Sequence, residues 1–329
     1  MGRLASSSRG QSRTIPNVAK SDGHKADRPV RAPERSEPLE LIRTEGPSGY
    51  ALLDSGEGRK LERFGPVVVD RPEPQALWSR RRGPDAWGKA HAVFSASADD
   101  EEKGKWRFDK QVPESWAVKV GDVSVSCRLQ GLWHVGLFPE QTPHWDWMLA
   151  EIAKVTGERP RVLNLFAYTG AASLLAARAG AEVTHVDASK KAIQWAKDNQ
   201  AASGLSDAPI RWILDDAAKF VAREVRRGKT YHVILIDPPK FGRGPDGEVW
   251  DLFQGLPALL RNAAQLLAPD KAAMVLTVYA IRASALAFEQ LVADVVSDRG
   301  GTLSAGELAL VAEGGASLVP TSLFVRWSS

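Results

Sequence analysis

The segment Tyr231-His-Val-Ile-Leu-Ile-Asp-Pro-Pro-Lys-Phe241 joins an apolar run to a rigid polar turn. The first six residues predict a buried strand, because a short apolar run that ends at a turn signal is typical of one. Each proline fixes its own φ and lacks an N–H, and the residue before it is held extended. We therefore expect Asp237, Pro238 and Pro239 to hold carbonyl groups outward, where a planar group covered by Phe241 can donate to them. A proline-rich turn after a core strand is the simpler alternative.

Strand-like and helix-like segments alternate around this turn, from about residue 145 to the end of the chain. This alternation predicts a mostly parallel α/β sheet with crossover helices. The expected strands are residues 161–165, 182–186, 210–214, 231–236 and 272–278, and the expected helices are 171–179, 189–203, 216–226, 251–267 and 283–297. Two further extended segments, 303–311 and 321–327, predict a hairpin-like edge in which one strand runs antiparallel to the others.

The part of the chain before this sheet divides into two regions of different composition. Residues 1–42 lack periodicity and are rich in Ser, Arg, Pro and Gly, so we expect a disordered basic tail. Residues 43–135 contain short strand-like segments between turn signals, which predicts a small β-rich (α+β) domain for substrate recognition. The sheet then occupies a third region, residues 136–329.

The net charge of +3 comes entirely from the tail, because residues 1–40 hold eight Lys or Arg and five Asp or Glu. The remaining chain has equal numbers of basic and acidic residues, so it is not a strong global attractor for nucleic acid. Any basic binding surface must be local. The densest candidate is Arg80-Arg81-Arg82, for which a solvated turn is an equally good interpretation.

Cysteine content and hydropathy exclude several classes of protein. Cys127 is the only cysteine, which excludes a disulfide framework and a cysteine metal cluster. No apolar run approaches the ~20 residues that cross a bilayer, and the chain shows no secretory apolar region. We expect a cytoplasmic protein with no metal and no membrane partner.

Polar residues follow each of the first three predicted strands at the edge where ligands bind in open α/β sheets. The turn Asn164-Leu-Phe-Ala-Tyr-Thr-Gly170 contains one glycine. It lacks the three glycines that let a backbone approach a pyrophosphate, which argues against NAD and FAD but not against an adenosyl ligand. Asp187 follows the second strand and can accept both ribose hydroxyls, and Asp215-Asp216-Ala217 follows the third. Helix capping is the alternative role for each acid.

Taken together, these motifs resemble the class I S-adenosylmethionine-dependent methyltransferases over residues 136–280. More narrowly, the chain resembles the bacterial large-subunit ribosomal RNA methyltransferases of the cytosine-C5 and guanine-N7 type. The upstream Gly136-Leu-Phe-Pro-Glu-Gln141 resembles the segment that approaches the cofactor in that family. The family's amino-terminal RNA-binding PUA module has no counterpart here. The resemblance implies a Rossmann-like sheet and S-adenosyl-L-methionine as cofactor.

The resemblance also implies roles for individual residues. Phe166 to Gly170 would cradle the methionine part of the cofactor, Asp187 would bind the ribose, and Asp216 with Ala217 would address the adenine. Asp237 to Phe241 would face the methyl acceptor. The cofactor residues so implied are Gln141, Asn164, Phe166, Ala167, Tyr168, Thr169, Gly170, Asp187, Ala188, Ser189, Asp215, Asp216 and Ala217, and the catalytic residues are Asp237, Pro238, Pro239, Lys240 and Phe241.

The residues after the fifth strand bear on which atom receives the methyl group. Cytosine C5 is a poor nucleophile, and the resembling cytosine enzymes add a cysteine thiolate to the ring. Here that place reads Leu276-Thr-Val-Tyr-Ala280, and Cys127 lies far upstream. A ring or exocyclic base nitrogen needs no covalent help, and the Asp-Pro-Pro carbonyls or Asp237 can accept hydrogen bonds from an amino group. Lys240 stands where many amino-methylating enzymes carry an aromatic residue, which leaves a ring and an amino nitrogen both open.

The favoured function is therefore methylation of a base nitrogen in structured RNA, ribosomal RNA above all. A methyltransferase with a small-molecule or protein substrate is the second hypothesis, motivated by the uncharged body and the missing PUA module. A non-catalytic RNA-binding factor on the same fold is the third, and a dehydrogenase the fourth. The sequence leaves the oligomeric state open, a homodimer included.

Overall fold

Eighteen strands and seven helices lie in the part of the chain that the structure describes, a computed structural model covering residues 32–36, 38–97, 104–279, 281–315 and 317–329. The strands are β1 (Glu34–Arg35), β2 (Glu40–Thr44), β3 (Tyr50–Gly56), β4 (Arg59–Phe64), β5 (Val67–Pro72), β6 (Ala92–Ala96), β7 (Gly104–Phe108), β8 (Trp116–Val120), β9 (Val123–Cys127), β10 (Arg161–Leu165), β11 (Glu182–Asp187), β12 (Ile210–Leu214), β13 (Val233–Ile236), β14 (Phe241–Arg243), β15 (Val249–Asp251), β16 (Ala273–Tyr279), β17 (Thr302–Val311) and β18 (Leu318–Ser328). The helices are α1 (Pro84–Trp87), α2 (Thr142–Lys154), α3 (Ala171–Arg178), α4 (Lys190–Ala202), α5 (Ala217–Arg226), α6 (Leu252–Gln265) and α7 (Ala285–Val295).

The largest sheet has nine strands, in the order β1-β17-β18-β16-β13-β10-β11-β12, with β2 also paired to β17. Strands β16, β13, β10, β11 and β12 run parallel, as the alternating sequence predicts. Successive residues of these strands enter two different cores: Val162 packs in one and Leu163 in the other. Because both faces are covered, the central strands are mainly apolar, and β13, Val233–Ile236, is entirely so. The predicted mostly parallel α/β sheet is confirmed.

The carboxyl-terminal strands β17 and β18 pair antiparallel to each other, and β18 also pairs antiparallel to β16. One antiparallel strand is therefore confirmed. The two strands do not form the sheet edge, however, because β1 and β2 pair parallel with the far side of β17. The prediction of an edge hairpin at this place is wrong for that reason.

Strand β2 also corrects the prediction that residues 1–42 form a disordered tail. Residues 1–31 lie outside the described part of the chain, but Glu40 pairs with Gly306 and Thr44 with Leu310. A Cβ atom at Gly306 would lie 1.8 Å from the carbonyl oxygen of Glu40, so only glycine allows this close approach. In the sequence, a glycine inside a predicted strand, here Gly306, can indicate that another backbone approaches closely.

The β-rich region is organised as a five-stranded sheet, β3-β4-β5-β6-β7, and a hairpin of β8 and β9. Its apolar residues Leu52 and Phe64 belong to the same core cluster as Val162 and Leu174 of the large sheet and its helix α3. Packing is therefore continuous across residue 135. The division into domains at that residue stays a prediction.

Strand β4 was not predicted from sequence, because four of its six residues are charged. Two of these charges are nevertheless buried. Lys60 Nζ donates to Glu73 Oε2 at 2.9 Å, and Glu62 binds Arg71 through both carboxylate oxygens. All four residues are at most 6% exposed. Buried charges of this kind persist only when they are paired.

We expect Glu62→Ala to lower the free energy of unfolding by about 3–5 kcal/mol, because the Arg71 guanidinium would stay buried without its carboxylate. Denaturant unfolding measures this. The matched control is Asp109→Ala, which breaks the exposed Arg107–Asp109 pair at 2.8 Å and should leave the free energy of unfolding nearly unchanged, because solvent screens such a pair. Equal losses in the two variants would contradict the assignment of a buried, paired charge.

Candidate active site

Five parallel strands end at one edge of the large sheet, and the segments that follow them form the candidate site. Carboxyl ends of parallel strands are the usual place for a ligand in such sheets. The segments are Phe166–Gly170 after β10, Ala188–Ser189 after β11, Asp215–Ala217 after β12, Asp237–Phe241 after β13, and Tyr279 at the end of β16. The structure therefore brings the motifs that the sequence singled out to a common edge.

The segment Phe166–Gly170 adopts an unusual backbone conformation. Phe166 and Tyr168 have φ angles of 55° and 49°, and Gly170 has a φ of 86°. Left-handed backbone costs a residue with a side chain about 1–3 kcal/mol and persists where the surroundings hold it. At Gly170 a Cβ atom would come within 3.0 Å of the Cβ of Ala196 on α4. Strain of this kind, concentrated in one turn, is typical of ligand-binding loops.

Hydrogen bonds from three directions hold this strained turn. Ala167 N donates to Val186 O at 3.1 Å. Thr169 Oγ1 donates to Gly136 O at 2.7 Å, and Asn199 Nδ2 donates to Thr169 O at 2.9 Å. The turn is thus tied to the neighbouring strand, to the upstream segment and to α4.

Asp187 connects the first two segments of the edge. Its Oδ2 accepts from Tyr168 N and its Oδ1 accepts from Ser189 N, both at 2.8 Å. Ala188, which lies between Asp187 and Ser189 in the chain, is half-buried. Burial raises the pKa of Asp187, while the two backbone N–H groups act in the opposite direction. Each carboxylate oxygen accepts one hydrogen bond from the protein, and so each retains capacity for a ligand hydroxyl.

The third segment combines helix capping with a possible ligand contact. Asp216 Oδ1 accepts from Lys219 N at 2.9 Å and so caps α5, and the Asp215 carboxylate pairs with Arg223. The capping role that the sequence left as an alternative is present for Asp216. Ala217 occupies the first position of α5, where a backbone N–H has no partner within the helix. That N–H is free to face a ligand.

Asn164 and Ser189 contribute to the site through the structure around it. Asn164 Nδ2 donates to Ser173 Oγ at 3.0 Å, and Ser173 Oγ lies 3.0 Å from His185 Nδ1 in the interior. The amide of Asn164 therefore faces α3. Ser189 caps α4 by accepting from Ala192 N at 3.2 Å.

Gln141 joins the upstream segment to two strand ends. It closes a 3-10 turn, Pro139–Gln141, that leads into α2, a helix not predicted from sequence. Gln141 Nε2 donates to Asp237 Oδ2 at 3.3 Å, and its Oε1 accepts from Thr277 Oγ1 at 3.4 Å. The bridge orients the carboxyl of Asp237 and leaves Oδ1 available.

Asp237 has an electrostatic environment unlike that of an ordinary surface acid. Burial, together with the nearby Glu140 carboxylate, raises the pKa of Asp237 to about 7. Glu140 is itself only 4% exposed. An acid whose pKa lies near neutral pH is suited to accept a proton during a reaction.

The Pro239 carbonyl oxygen is already hydrogen-bonded within the protein, whereas we expected the carbonyl groups of this turn to be free. Trp250 Nε1 donates to Pro239 O at 2.7 Å. The Trp250 ring also packs 5.1 Å from the ring of Phe166, which ties the Asp-Pro-Pro turn to the strained turn after β10. Sequence reasoning missed Trp250, although the turn residues Gly242 to Gly247 followed by Val249-Trp250 carried a hairpin signal.

Lys240 and Phe241 lie on the outside of the turn. Phe241 begins the short hairpin of β14 and β15 and is 62% exposed, as Val249 is at 77% on the same face. Lys240 Nζ lies 5.3 Å from the centre of the Phe241 ring. In this structure the side chain of Phe241 is largely exposed to solvent.

Two further sequence predictions concern charge and metal. In Arg80-Arg81-Arg82 the first guanidinium stacks 3.9 Å from the Trp87 ring and the third pairs with Glu313 at 3.0 Å. Two of the three guanidinium groups of this run therefore have partners within the protein. Within the described ranges, no three His, Cys, Asp or Glu side chains meet as a metal site would require. None of the helices in those ranges combines the length and apolarity needed to cross a bilayer.

Comparison with protein families and curated proteins gives matches to the sheet region. The family described as Conserved hypothetical protein 95 matches residues 145–272. Ribosomal RNA large subunit methyltransferase I of Shewanella denitrificans is 36% identical over 138 residues, which are 42% of this chain and 34% of that protein. Ribosomal RNA large subunit methyltransferase K/L of Shewanella frigidimarina is 38% identical over 122 residues, 36% of this chain and 17% of that protein. The chain thus spans about a third or less of these two relatives.

Comparison with solved structures gives a match along nearly the whole chain. The S-adenosylmethionine-dependent methyltransferase from Agrobacterium tumefaciens is 45% identical, with a TM-score of 0.86, and the match covers 92% of this chain and 97% of that one. A methyltransferase from Streptococcus mutans at 16% identity and a TM-score of 0.65 shares the fold.

We expect Trp250→Phe to loosen the Asp-Pro-Pro turn without unfolding the protein. The variant keeps a ring against Phe166 but loses the hydrogen bond to Pro239 O, worth about 0.5–1.5 kcal/mol. Hydrogen exchange of the peptide spanning residues 237–252 should speed up, while the peptide of β10 keeps its wild-type rate. Unchanged exchange in residues 237–252 would show that the indole does not hold the turn.

Proposed function

This chain belongs to the S-adenosylmethionine-dependent methyltransferases, and we propose that it methylates a nitrogen of a base in structured RNA, ribosomal RNA above all. The observation that carries the proposal is Asp237. It stands at the end of β13, is oriented by Gln141, and has a pKa of about 7. A group with that pKa can accept the proton that a base nitrogen bearing an N–H loses when it is methylated. A cytoplasmic location belongs to the same proposal and is supported by the lone, free Cys127.

The residues at the carboxyl edge fit the proposed cofactor. The strained turn Phe166–Gly170 presents backbone close to a ligand, and Gly170 leaves room where a Cβ would crowd α4. Asp187 retains one acceptor site on each oxygen for the ribose hydroxyls. Ala217 offers a backbone N–H for the adenine. When bound, S-adenosylmethionine supplies an electrophilic methyl group on a sulfonium.

The protein's part in the reaction is positioning and proton acceptance. Holding the acceptor nitrogen in line with the methyl group removes much of the entropic cost of the encounter. Asp237 then accepts the proton of that nitrogen. Gln141 fixes the carboxyl in place by donating to Oδ2, so that Oδ1 faces the acceptor.

Methylation of carbon by a covalent thiol route has no suitable group here. Cys127 lies in β9, is fully buried, and burial raises the pKa of its thiol to about 12. A thiol with that pKa stays protonated and unreactive at neutral pH. The end of β16 carries Tyr279 in place of a cysteine. A nitrogen acceptor is therefore favoured over cytosine C5.

An RNA substrate is supported by the names of the two curated relatives and by the exposed Phe241, beside Lys240, at the mouth of the site. A base stacks on an exposed aromatic ring with about 1–3 kcal/mol of stabilisation. A base within a helix must first be flipped out. The second candidate is a small-molecule or protein substrate, because the body of the chain carries no net charge.

A methyl-transfer assay separates these candidates. The purified protein, S-adenosylmethionine labelled in its methyl group and total RNA from a strain that lacks the gene are incubated together. The proposal predicts label in RNA, with transfer that weakens as salt rises. Label that appears only in the protein or small-molecule fraction of an extract would favour the second candidate.

We expect Asp187→Ala to weaken cofactor binding at least about tenfold, because two hydrogen bonds to a charged acceptor are lost. Isothermal titration with S-adenosylhomocysteine measures the affinity. The matched control is Asp198→Ala, which removes an exposed acid on α4 that pairs with Arg128 at 3.4 Å, and it should bind as the wild type does. Unchanged affinity in Asp187→Ala would remove the ribose assignment.

The pKa of Asp237 predicts the pH dependence of the reaction. Below about pH 7 the carboxyl is protonated and cannot accept a proton, so kcat/KM should rise with pH and level off above about 7.5. Asp237→Asn should abolish most activity, and Cys127→Ala should retain both the activity and the profile. At pH 8 the Asp237→Asn variant should also be more stable than the wild type. The reason is that the wild-type acid must ionise in its buried site at this pH, which lowers the free energy of unfolding. A flat profile in the wild type would contradict the role of Asp237.

A further inference from the structure

Tyr279 ends the strand that lies beside the Asp-Pro-Pro turn. Strands β13 and β16 are parallel neighbours, with Ile236 opposite Leu276. The residues that follow Ile236 and Leu276 therefore continue side by side at the carboxyl edge. Asp237 stands one residue beyond this pair on β13, and Tyr279 stands three residues beyond it on β16. Tyr279 therefore stands at the same carboxyl edge of the sheet as Asp237, the proposed proton acceptor.

The hydroxyl of Tyr279 makes no hydrogen bond to any described residue, whereas buried structural tyrosines in this chain do. Tyr50 donates to Glu62 and Tyr231 donates to Glu224, each at 2.7 Å. Tyr279 is half-buried, so solvent reaches this part of the edge. Polar groups in the interior are almost always paired. An unpaired hydroxyl at a site edge is one that a ligand can use.

The charges that act on the Tyr279 phenol come from the β-rich region and from the 3-10 turn before α2. Lys60, Glu73 and Glu140 all act electrostatically on the phenol. Lys60 and Glu73 form a buried pair at 2.9 Å, which keeps both in place. Burial raises the pKa of Tyr279, so the hydroxyl keeps its proton at neutral pH and acts as a donor. This neighbourhood also means that the β-rich region helps to shape the acceptor side of the site.

We propose that Tyr279 binds the methyl acceptor by donating a hydrogen bond to the acceptor atom that lies next to the nitrogen being methylated. The inference rests on the proposed function and identifies the substrate edge that the site recognises. Asp237 accepts from an N–H and Tyr279 donates to the neighbouring atom. Together they match a nucleobase edge on which a hydrogen-bond donor and an acceptor stand side by side. The methyl carbon–sulfur bond breaks as the carbon–nitrogen bond forms, the N–H proton passes to Asp237, and Tyr279 keeps its own proton.

Kinetics of Tyr279→Phe with RNA from the deletion strain test the proposal. We expect kcat/KM to fall about 10-fold to 100-fold, since the substrate acceptor atom loses its hydrogen-bond donor. The affinity for S-adenosylhomocysteine should stay at the wild-type value. The matched control is Tyr231→Phe, which removes a hydroxyl at the opposite end of the sheet. It should lower stability and leave kcat/KM unchanged. Wild-type kcat/KM in Tyr279→Phe would overturn the inference while leaving the proposed function intact.

A binding experiment tests the same contact without any methyl transfer. The chain has four tyrosines, so the ring signals of protein labelled with carbon-13 tyrosine can be assigned by single substitutions. With S-adenosylhomocysteine present, adenosine, guanosine, cytidine and uridine monophosphates are added in turn. At least one should shift the Tyr279 signal and leave the Tyr231 signal in place. If RNA is not methylated, the proposed function fails, and this titration still decides the inference: no shift with any nucleotide overturns it.

Discussion

The carboxylate of Asp187 is the contact on which the geometry of the carboxyl edge depends. It receives the backbone N–H of Tyr168 from one loop and that of Ser189 from the next, both at 2.8 Å. The first loop holds two non-glycine residues with positive φ, a conformation that is costly in isolation. Hydrogen bonds to an ionised acceptor are among the stronger ones in proteins. One acid therefore stabilises a strained loop and keeps oxygen lone pairs directed to a ligand.

A second constraint comes from the way the β-rich region meets the sheet. Lys60, Glu62, Arg71 and Glu73 are buried and satisfied within that region. Their charges reach Glu140 and Tyr279 at the acceptor side. Burial raises the pKa of Asp237, and the Glu140 carboxylate adds to that shift. The electrostatics of the reacting edge are thus set partly by residues that are far away in sequence. Such a network favours one arrangement of the two regions, because an unpaired charge in the interior is costly.

Sequence patterns predicted the sheet well, because strand and helix periods differ and the central strands are apolar on both faces. The same reasoning located all the strand-end motifs, since parallel strands finish at one edge. It failed where a contact between distant parts of the chain determines the structure. The residues Glu40–Thr44 show too little periodicity to predict a strand. The charged residues of β4 do not indicate that the strand is buried, because their ion-pair partners are brought near only by the fold. The hydrogen bond from Trp250 to Pro239 O depends on a hairpin whose two strands have three residues each.

The chemistry of individual residues was predictable only in part. The acid at the end of β11 and the acid after β13 are where the sequence placed them. Capping by Asp216 and the inward amide of Asn164 follow from side-chain geometry that no spacing shows. The raised pKa of Asp237 likewise depends on Glu140, which is brought near by the 3-10 turn before α2. Burial and neighbouring charge are properties of the folded site, and they decide which acids act on a ligand.

The central claim is that this carboxyl edge directs a methyl group to a base nitrogen of RNA without a covalent thiol. Mass spectrometry of nucleosides from the ribosomal RNA of a deletion strain and its parent tests it most directly. The account predicts that one N-methylated nucleoside disappears on deletion and returns when the wild-type gene is restored, but not with Asp237→Asn. An unchanged set of methylated nucleosides, or the loss of 5-methylcytidine instead, would contradict it.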